Sequence, residues 1–363
     1  MNKIPWWMPK VEKEDYEFIK KALDANFVNE GPLTAQFENK IAKLVGAKYA
    51  SATTSGTAAI FLALKALDVG YGDEVIVPDL TFIATANAVD LCGAKPVLVD
   101  VNPADLTISI DAIKKAINVK TKAIVPVHVT GRGADMEAIM SIAKKHNLFV
   151  IEDAAEALTS KQGNKFLGAI GDLGCFSFSA NKTISTGQGG MIITNNDKIF
   201  SKLRPLKDQG RPMRGTGGGD DIHNSIGYNF RMTDLQAGMG LGQLTHLKKR
   251  AERMKRNYEL YKENLKNVSE ISIFPSRQEE LPQWTDILTE KRDELEKYLK
   301  DQNMDSRKYW RPIHQQPPYR LPDDNFPNST RLSPKALWLP SAFTLTDENT
   351  LTICKKIKEF LKK

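Results

Sequence analysis

Apolar segments with β character alternate with helical patterns along the chain up to residue 194. The predicted strands are residues 74–78, 96–101, 123–129, 149–153, 175–178 and 191–194, and the predicted helices are residues 57–67, 82–91, 110–117 and 136–145. Repeated strand–helix–strand units predict an α/β fold with a mostly parallel sheet, because parallel neighbours need a crossover connection. In such a sheet a binding site is expected at the carboxyl ends of the strands.

The pattern changes near His246. A long, charged, amphipathic helix is predicted over residues 247–265, followed by two shorter elements and a closing helix over residues 348–361. We therefore expect a large domain at residues 1–245 and a smaller α+β domain at residues 246–363. Gly215 to Gly219 is predicted to form a loop, and no Gly-Lys-Ser/Thr follows that would make it a P-loop.

The composition is that of an ordinary globular protein, with 41% hydrophobic and 26% charged residues. Cys92, Cys175 and Cys354 are odd in number and far apart, so no disulfide framework, zinc spacing or other metal site is predicted. Neither a transmembrane span nor a signal peptide is recognisable. We expect a cytoplasmic protein that does not contact a membrane.

The formal net charge of +7 is compatible with nucleic-acid binding. The lysines are scattered, however, apart from helical surface runs such as Lys248-Lys249-Arg250, and no nucleic-acid-binding module is recognisable. We expect most of the positive charge to be solvated surface and a minor part to attract an anionic substrate. Nucleic acid is not an expected partner.

Lys182 occupies a distinctive place in the sequence. A short β-type run over residues 173–179 precedes it, and a turn with three glycines separates it from the next strand. Phe176 and Phe178 are expected to wall this lysine and partly desolvate it, which lowers the pKa of an ammonium group and frees the amine to attack an aldehyde. Lys182 is therefore the candidate catalytic residue, and an ordinary loop lysine is the alternative.

Several residues near Lys182 have the chemistry that a phosphorylated cofactor needs. Ser55, Gly56 and Thr57 open a predicted helix, whose free N–H groups suit a phosphate, although a routine helix cap is the alternative. Asp153 ends an apolar strand, from which it could hold a pyridinium N–H, as pyridoxal phosphate requires, or cap a helix.

Two further side chains belong to the same predicted strand edge. Ser177 adds a hydroxyl five residues before Lys182. Phe82 could lie flat on a cofactor ring, although a place in the core is the commoner fate of a phenylalanine. Together these residues provide a phosphate-binding helix start, a carboxylate, an aromatic ring that can stack on a cofactor, and a lysine.

These residues stand within a series of motifs that resembles the DegT/DnrJ/EryC1/StrS family, the pyridoxal-phosphate sugar aminotransferases of the aspartate aminotransferase fold (fold type I). The motifs span nearly the whole chain in the family's order. They are Asn29-Glu-Gly-Pro32, Ser55-Gly-Thr57, Thr81-Phe-Ile-Ala-Thr-Ala-Asn87, Glu152-Asp-Ala-Ala-Glu156, Ser177-Phe-Ser-Ala-Asn-Lys182, Gly187-Gln-Gly-Gly190, Gly227-Tyr-Asn-Phe-Arg-Met232 and Leu337-Trp-Leu-Pro340.

The resemblance implies that Lys182 forms a Schiff base with pyridoxal 5'-phosphate and that Asp153 pairs with its pyridine nitrogen. Glu156 stands where the family often has Gln or His beside the ring. Asn229 is implied to reach the phosphate of the neighbouring subunit, which places two sites at a homodimer interface. The implied cofactor-binding residues are Ser55, Gly56, Thr57, Phe82, Asp153, Glu156, Ser177, Lys182 and Asn229.

The substrate side is predicted from the motifs and from one basic, aromatic segment. Arg307, Trp310 and His314 lie in a proline-rich stretch that also carries Lys308, Arg311 and Arg320. Arginines can bind phosphate oxygens through bidentate hydrogen bonds, and the Trp310 ring offers a flat face to a sugar or base. This segment therefore suits a sugar diphosphate. The alternative is an ordinary basic loop on the surface. The predicted substrate-binding residues are Asn29, Arg231, Arg307, Trp310 and His314.

We therefore expect an aminotransferase that moves an amino group from L-glutamate or L-glutamine to a nucleotide-linked keto-deoxy sugar, for amino-sugar and surface-polysaccharide biosynthesis. The alternatives are an aminotransferase for a small phosphorylated ketone, a pyridoxamine-phosphate-dependent sugar dehydratase and a non-catalytic regulator. Lys182 argues against the dehydratase, because the dehydratases of this fold carry histidine in its place. The assembled site argues against the regulator.

Overall fold

The structure is a computed structural model that describes residues 3–211 and 222–362. The loop predicted at residues 215–219 lies outside these residues. In the part of the chain that is described, no helix combines the length and the apolar character needed to cross a membrane. Cys92, Cys175 and Cys354 are all buried and free.

Helices and strands alternate through the described residues. The helices are α1 (Lys13–Asp24), α2 (Pro32–Val45), α3 (Gly56–Ala66), α4 (Ala84–Leu91), α5 (Ile110–Ala116), α6 (Met136–His146), α7 (Asp197–Lys207), α8 (Asp234–Thr245), α9 (Leu247–Leu265), α10 (Arg292–Asp301), α11 (Pro327–Leu332) and α12 (Asp347–Leu361). The strands are β1 (Tyr49–Thr53), β2 (Glu74–Pro78), β3 (Lys95–Val99), β4 (Thr121–Ile124), β5 (Phe149–Asp153), β6 (Lys161–Gln162), β7 (Lys165–Phe166), β8 (Leu173–Ser177), β9 (Gly190–Thr194), β10 (Ser272–Ile273), β11 (Asp286–Leu288), β12 (Arg307–Lys308) and β13 (Ala336–Trp338).

The large sheet has seven strands in the order β1-β9-β8-β5-β4-β2-β3. Strand β9 runs antiparallel to both of its neighbours, whereas the pairs from β8 to β3 are parallel. All six predicted strands lie in this sheet, which confirms the predicted α/β fold. Strand β1 (Tyr-Ala-Ser-Ala-Thr) was not predicted, because its small and polar residues form no apolar run although most of them are buried.

Helices α1, α2, α7 and α8 were also not predicted. Helix α8 carries Gly238, Gly240 and Gly242, and glycine weakens a helical signal by about 1 kcal/mol per residue. Glycine allows α8 to pack closely against α1, because a Cβ at Gly242 would lie 2.6 Å from the backbone nitrogen of Asp15 in α1. The helix is thus stabilised by packing that its own sequence does not reveal.

A second, antiparallel sheet in the order β10-β11-β13-β12 belongs to the smaller unit, where α9, α10 and α12 cover it. The predicted helix over 247–265 is confirmed as α9, and the closing helix is α12. Ile4 packs in the core of this unit beside Tyr261 and Leu299. The first residues therefore accompany the smaller unit, and the predicted boundary at residue 246 stays a prediction.

The sheet brings the predicted site residues to one edge. Asp153 ends β5, Ser177 ends β8, and Gly56 begins α3 directly after β1. Beyond β4, Thr130 and Gly131 both adopt left-handed backbone angles, with φ of 53° and 92°. A Cβ on Gly131 would lie 1.9 Å from the carbonyl oxygen of Leu281, so only glycine fits this turn.

Gly131→Ala should destabilise the protein more than Gly72→Ala, a variant matched in backbone conformation. Gly72 has a φ of +93°, but no atom lies within 4 Å of the place that a Cβ would occupy there. The Gly72 variant should lose about 1–2 kcal/mol of unfolding free energy from left-handed strain alone. The Gly131 variant should lose about 1–3 kcal/mol more from the collision with Leu281. Urea denaturation followed by circular dichroism measures both, and equal losses would contradict the close contact.

Candidate active site

A cavity of about 370 Å³ opens at the carboxyl edge of the large sheet. Most of the predicted site residues line it, and they come from both structural units. They are Ser55, Gly56, Thr57, Phe82, Asp153, Glu156, Ser177, Lys182, Arg307 and Trp310. The cavity therefore unites the predicted cofactor-binding and substrate-binding segments.

The Lys182 ammonium group lies between an acid and an indole. Its Nζ is 3.1 Å from Oε1 of Glu156 and 5.0 Å from the ring centroid of Trp284. Only 12% of the Lys182 side chain is exposed, so the group is largely removed from water. The expectation that Phe176 and Phe178 wall this lysine is wrong, because both rings are buried in the core beneath the sheet edge.

Glu156 is anchored on both of its oxygens. Oε1 accepts from Lys182, and Oε2 accepts a 2.8 Å hydrogen bond from the backbone N–H of Thr130. Burial raises the pKa of Glu156, while the Lys182 ammonium and the Thr130 N–H act in the opposite direction. A carboxylate held in this way can orient the lysine amine and take part in moving its protons.

Asp153 is buried at the end of β5. Its Oδ2 accepts from the Thr85 hydroxyl at 2.8 Å, and its Oδ1 accepts from the backbone N–H of Ala155 at 3.2 Å. Burial raises the pKa of Asp153, and the hydrogen bond from Thr85 opposes this effect. A cationic N–H in the cavity would stabilise the ionised form, which is the interaction that a protonated pyridine nitrogen offers.

The start of α3 forms an anion-binding corner. The Ser55 hydroxyl accepts from the backbone N–H of Ala58 at 3.1 Å and caps the helix. A Cβ on Gly56 would lie 2.9 Å from the Cβ of Ser177, so glycine allows the helix start to approach the end of β8. The first N–H groups of a helix lack intrahelical acceptors and favour negative charge, which suits a phosphate here.

Phe82 contributes an aromatic ring to the cavity wall. It precedes α4, lines the cavity and remains 53% exposed, which is unusual for a large apolar side chain. A ring that stacks on it would cover this surface. The position fits the predicted contact with a cofactor ring.

Besides His314, three predicted residues lie outside the cavity of this subunit. The exposed Asn29 accepts at its side-chain oxygen from the N–H of Glu30. Asn229 is exposed and forms a backbone bridge with Asp208, and Arg231 places its Nε 3.1 Å from Oδ1 of the same aspartate. Their roles at a neighbouring subunit's site stay predictions.

His314 does not reach the cavity, and the prediction that it contacts substrate is wrong. Its side chain is fully buried, with Nδ1 at 2.7 Å from Asp79 and Nε2 at 2.9 Å from Asp323. The ring also stacks on Phe326, with centroids 4.4 Å apart. Because Asp79 follows β2, this histidine fastens the basic segment to the large sheet.

The rest of the basic segment divides by position. Lys308 pairs with Asp293 and Glu296, at 3.0 and 3.5 Å, and Arg311 is exposed outside the cavity lining. Arg307 stacks on the rings of Trp6 and Trp338, with its guanidinium carbon 5.0 and 5.6 Å from their centroids. It lines the cavity, where its guanidinium can bind an oxyanion.

Sequence reasoning missed Trp284, Trp338 and Thr85, which also line the cavity. Trp284 stands next to polar residues, Trp338 stands in a short apolar segment that looks like core, and Thr85 lies inside a predicted helix. The Thr81–Asn87 motif was the one signal that included Thr85. Trp338 belongs to the Leu337–Pro340 motif, but that motif does not distinguish cavity wall from core, and Trp284 stands in none of the motifs.

The residues fit pyridoxal 5'-phosphate at each of its functional ends. Gly56 opens space for a phosphate at a helix start, Phe82 offers a face to the ring, buried Asp153 suits the pyridine nitrogen, and Lys182 suits the aldehyde. Fold and site together define a pyridoxal-phosphate-dependent enzyme. The chain belongs to the DegT/DnrJ/EryC1/StrS aminotransferase family, whose model matches residues 9–358.

Relatives of known name agree with this family. The chain is 37% identical to a GDP-perosamine synthase of Escherichia coli O157:H7 over 99% of both chains. It is 33% identical to a GDP-perosamine synthase of Vibrio cholerae, over 98% of this chain and 99% of the relative. The structure of DesI with its TDP-sugar product superposes with a TM-score of 0.90 at 27% identity, covering 99% of this chain and 92% of DesI.

These findings confirm the predicted family, the aspartate aminotransferase-like fold, the aminotransferase activity and the pyridoxal 5'-phosphate cofactor. The roles of the individual residues stay predictions, which the geometry above makes specific.

Borohydride reduction of the protein with its cofactor, followed by peptide mapping, should place the pyridoxyl label on Lys182. Lys182→Ala should still bind the cofactor without a covalent bond. Its kcat should fall by at least about 10²–10⁴-fold, the contribution of a positioned general base. Label on any other lysine would refute the assignment, and Lys308→Ala, a lysine outside the cavity, is the control that should keep full labelling.

Proposed function

We propose that the chain transfers an amino group from L-glutamate or L-glutamine to a nucleotide-linked keto-deoxy sugar, in the biosynthesis of amino sugars for surface polysaccharide. The observation that carries this proposal is Arg307, a cation at the cavity wall whose guanidinium carbon lies 5.0 and 5.6 Å from the ring centroids of Trp6 and Trp338. Such a group suits the diphosphate of a nucleotide sugar. The names of the relatives, which include GDP and TDP sugars, support the same class of acceptor.

The aromatic residues around Arg307 support a sugar ligand. All five tryptophans of the chain form one contact network, and three of them line the cavity: Trp284, Trp310 and Trp338. The Trp310 and Trp338 rings meet edge to face, with centroids 4.7 Å apart. Flat apolar faces beside an anion-binding group match a ligand that joins a deoxysugar to a diphosphate.

The catalytic work of the protein falls on three side chains. Bound pyridoxal 5'-phosphate supplies an electron sink for the carbanion that forms when the donor loses its α-proton. Lys182 would remove that proton through its Nζ, and Glu156, 3.1 Å away, would orient the amine for the transfer. Asp153 would hold the proton on the pyridine nitrogen, since its buried carboxylate needs a cationic partner.

We further propose a cytoplasmic homodimer in which each subunit completes the other's site. Asn229 is exposed, far in sequence from Lys182, and fixed through its backbone to Asp208. The family resemblance assigns it to the neighbouring phosphate. The three free, buried cysteines fit a reducing compartment.

Subunit mixing tests the shared site. Lys182→Ala and Asn229→Leu proteins should each be inactive, because each homodimer lacks one essential group at both sites. After exchange, about a quarter of wild-type activity should return, since half of the dimers are hybrids and each contains one intact site.

The control for subunit mixing combines Lys182→Ala with Asp153→Asn. Both residues serve the same subunit's site, so their hybrids should contain no intact site and recover no activity. Failure of the Asn229 mixture to recover, with exchange verified by mass spectrometry, would exclude the proposed sharing.

Arg307→Ala should raise the KM for the keto sugar by about 10- to 100-fold, the range expected when a hydrogen bond to a charged group is lost. The glutamate half-reaction, followed by cofactor absorbance, should change little. Arg311→Ala is the matched control, because this exposed arginine of the same segment lies outside the cavity lining. Equal losses in both half-reactions would give Arg307 a structural role, and efficient amination of a ketone without a nucleotide would overturn the proposed acceptor.

A further inference from the structure

Gln283 is a buried polar residue that contacts both sides of the Lys182 turn. It precedes Trp284 and β11, within the chain segment of the smaller unit, and only 2% of it is exposed. Its Oε1 accepts from the Thr183 hydroxyl at 2.6 Å, and its Nε2 donates to the carbonyl oxygen of Asn181 at 3.1 Å. One amide thus bonds to the residues immediately before and after the lysine.

The orientation of this amide follows from its partners. A carbonyl oxygen can only accept, so the Nε2 group must face Asn181, and the Oε1 atom is left to accept from Thr183. A buried amide with both ends satisfied has one favourable orientation, because turning it over would put two acceptors against each other. Gln283 therefore fixes the backbone on which Lys182 stands.

The backbone of Gln283 is linked, through Thr130, to Glu156, the acid that pairs with Lys182. Its N–H donates to the carbonyl oxygen of Thr130 at 2.9 Å, and the N–H of Thr130 in turn donates to Glu156. Thr130 has a φ of 53° and a ψ of 24°, a conformation that a β-branched residue rarely adopts. Strain of this kind persists only where neighbouring contacts hold the backbone, and Gln283 supplies one of them.

The next residue completes the arrangement. The Trp284 ring centroid lies 5.0 Å from the Lys182 ammonium, so Trp284 contacts the tip of the lysine, while Gln283 bonds to the Asn181 carbonyl on one flank and to the Thr183 hydroxyl on the other. Lysine has a long, flexible stem, and an amine that must meet a reacting carbon gains most from external positioning. Gln283 itself lies behind the cavity lining, so it acts on the reaction through Lys182.

We propose that Gln283 is a positioning residue for Lys182, which sets the place of the amine relative to Glu156 and thereby the rate at which it attacks the cofactor aldehyde and moves protons. The proposal rests on the aminotransferase part of the proposed function and is independent of which sugar is the acceptor.

The test compares three variants in the holoenzyme. Gln283→Leu removes both side-chain hydrogen bonds, and Thr183→Val removes one of them with little change in shape. Tyr258→Phe is the control: it removes two hydrogen bonds in the smaller unit, away from the turn, because the Tyr258 hydroxyl donates to the carbonyl oxygen of Phe274 at 3.0 Å and accepts from the N–H of Ser276 at 2.9 Å. All three should lower the melting temperature, so stability alone does not separate a positioning role from a structural one.

Two rates make the distinction. The first is attachment of pyridoxal 5'-phosphate to Lys182 in the apoprotein, followed by borohydride trapping at successive times. The second is the single-turnover glutamate half-reaction as a function of pH. Gln283→Leu should slow both by about 10- to 100-fold, as expected for a reacting group displaced by about 1 Å, and should shift the pH profile of the half-reaction. Thr183→Val should show a smaller change in the same direction, and Tyr258→Phe should match the wild type.

Wild-type attachment and half-reaction rates in Gln283→Leu would overturn the proposal, as would equal slowing by Tyr258→Phe. Attachment does not involve a donor or an acceptor. If the wild type fails to use the proposed sugar while Gln283→Leu still slows attachment, the acceptor is wrong and the positioning role stands.

Discussion

The ion pair of Lys182 and Glu156 is the contact on which the rest of the site depends. Removing two charges from water costs several kcal/mol per ion, and a 3.1 Å pair compensates only when further polar groups support it. The structure supplies them from separate elements: the Thr130 N–H for the acid and the Trp284 ring for the ammonium. The left-handed turn after β4 presents that N–H, and its Gly131 is the residue that lets Leu281 approach.

The large sheet could be predicted because buried parallel strands are continuous apolar runs. Strands β2 and β5 begin and end at the predicted residues. Strand β1 could not be found in the same way, since its burial comes from the covering helices and not from its own Ser and Thr residues. Helix α8 was missed for the related reason that its glycines weaken the local signal while allowing contact with α1.

The same contrast holds within the site. Asp153, Ser177 and Gly56 could be predicted because each lies within one residue of a predicted strand end or helix start. Arg307 and His314 looked alike in one basic segment, yet the first faces the cavity and the second is buried against Asp79. Which way a side chain of that segment points is decided by docking onto the large sheet, and no local pattern encodes it.

The Lys182 turn is held by parts of the chain that are remote from it. The indole N–H of Trp7 donates to the carbonyl oxygen of Ala180 at 3.1 Å, while the backbone around Ile4 pairs with residues 303 and 305 of the smaller unit. Gln283 contacts both flanks of the lysine, at Asn181 and Thr183. The lysine is thus recognisable from its own sequence, but its geometry depends on the smaller unit and the first residues being in place. A displacement of that unit would move the Lys182 amine together with the part of the cavity wall that Arg307 and Trp310 form, so the position of the lysine and the shape of the cavity depend on the same contacts.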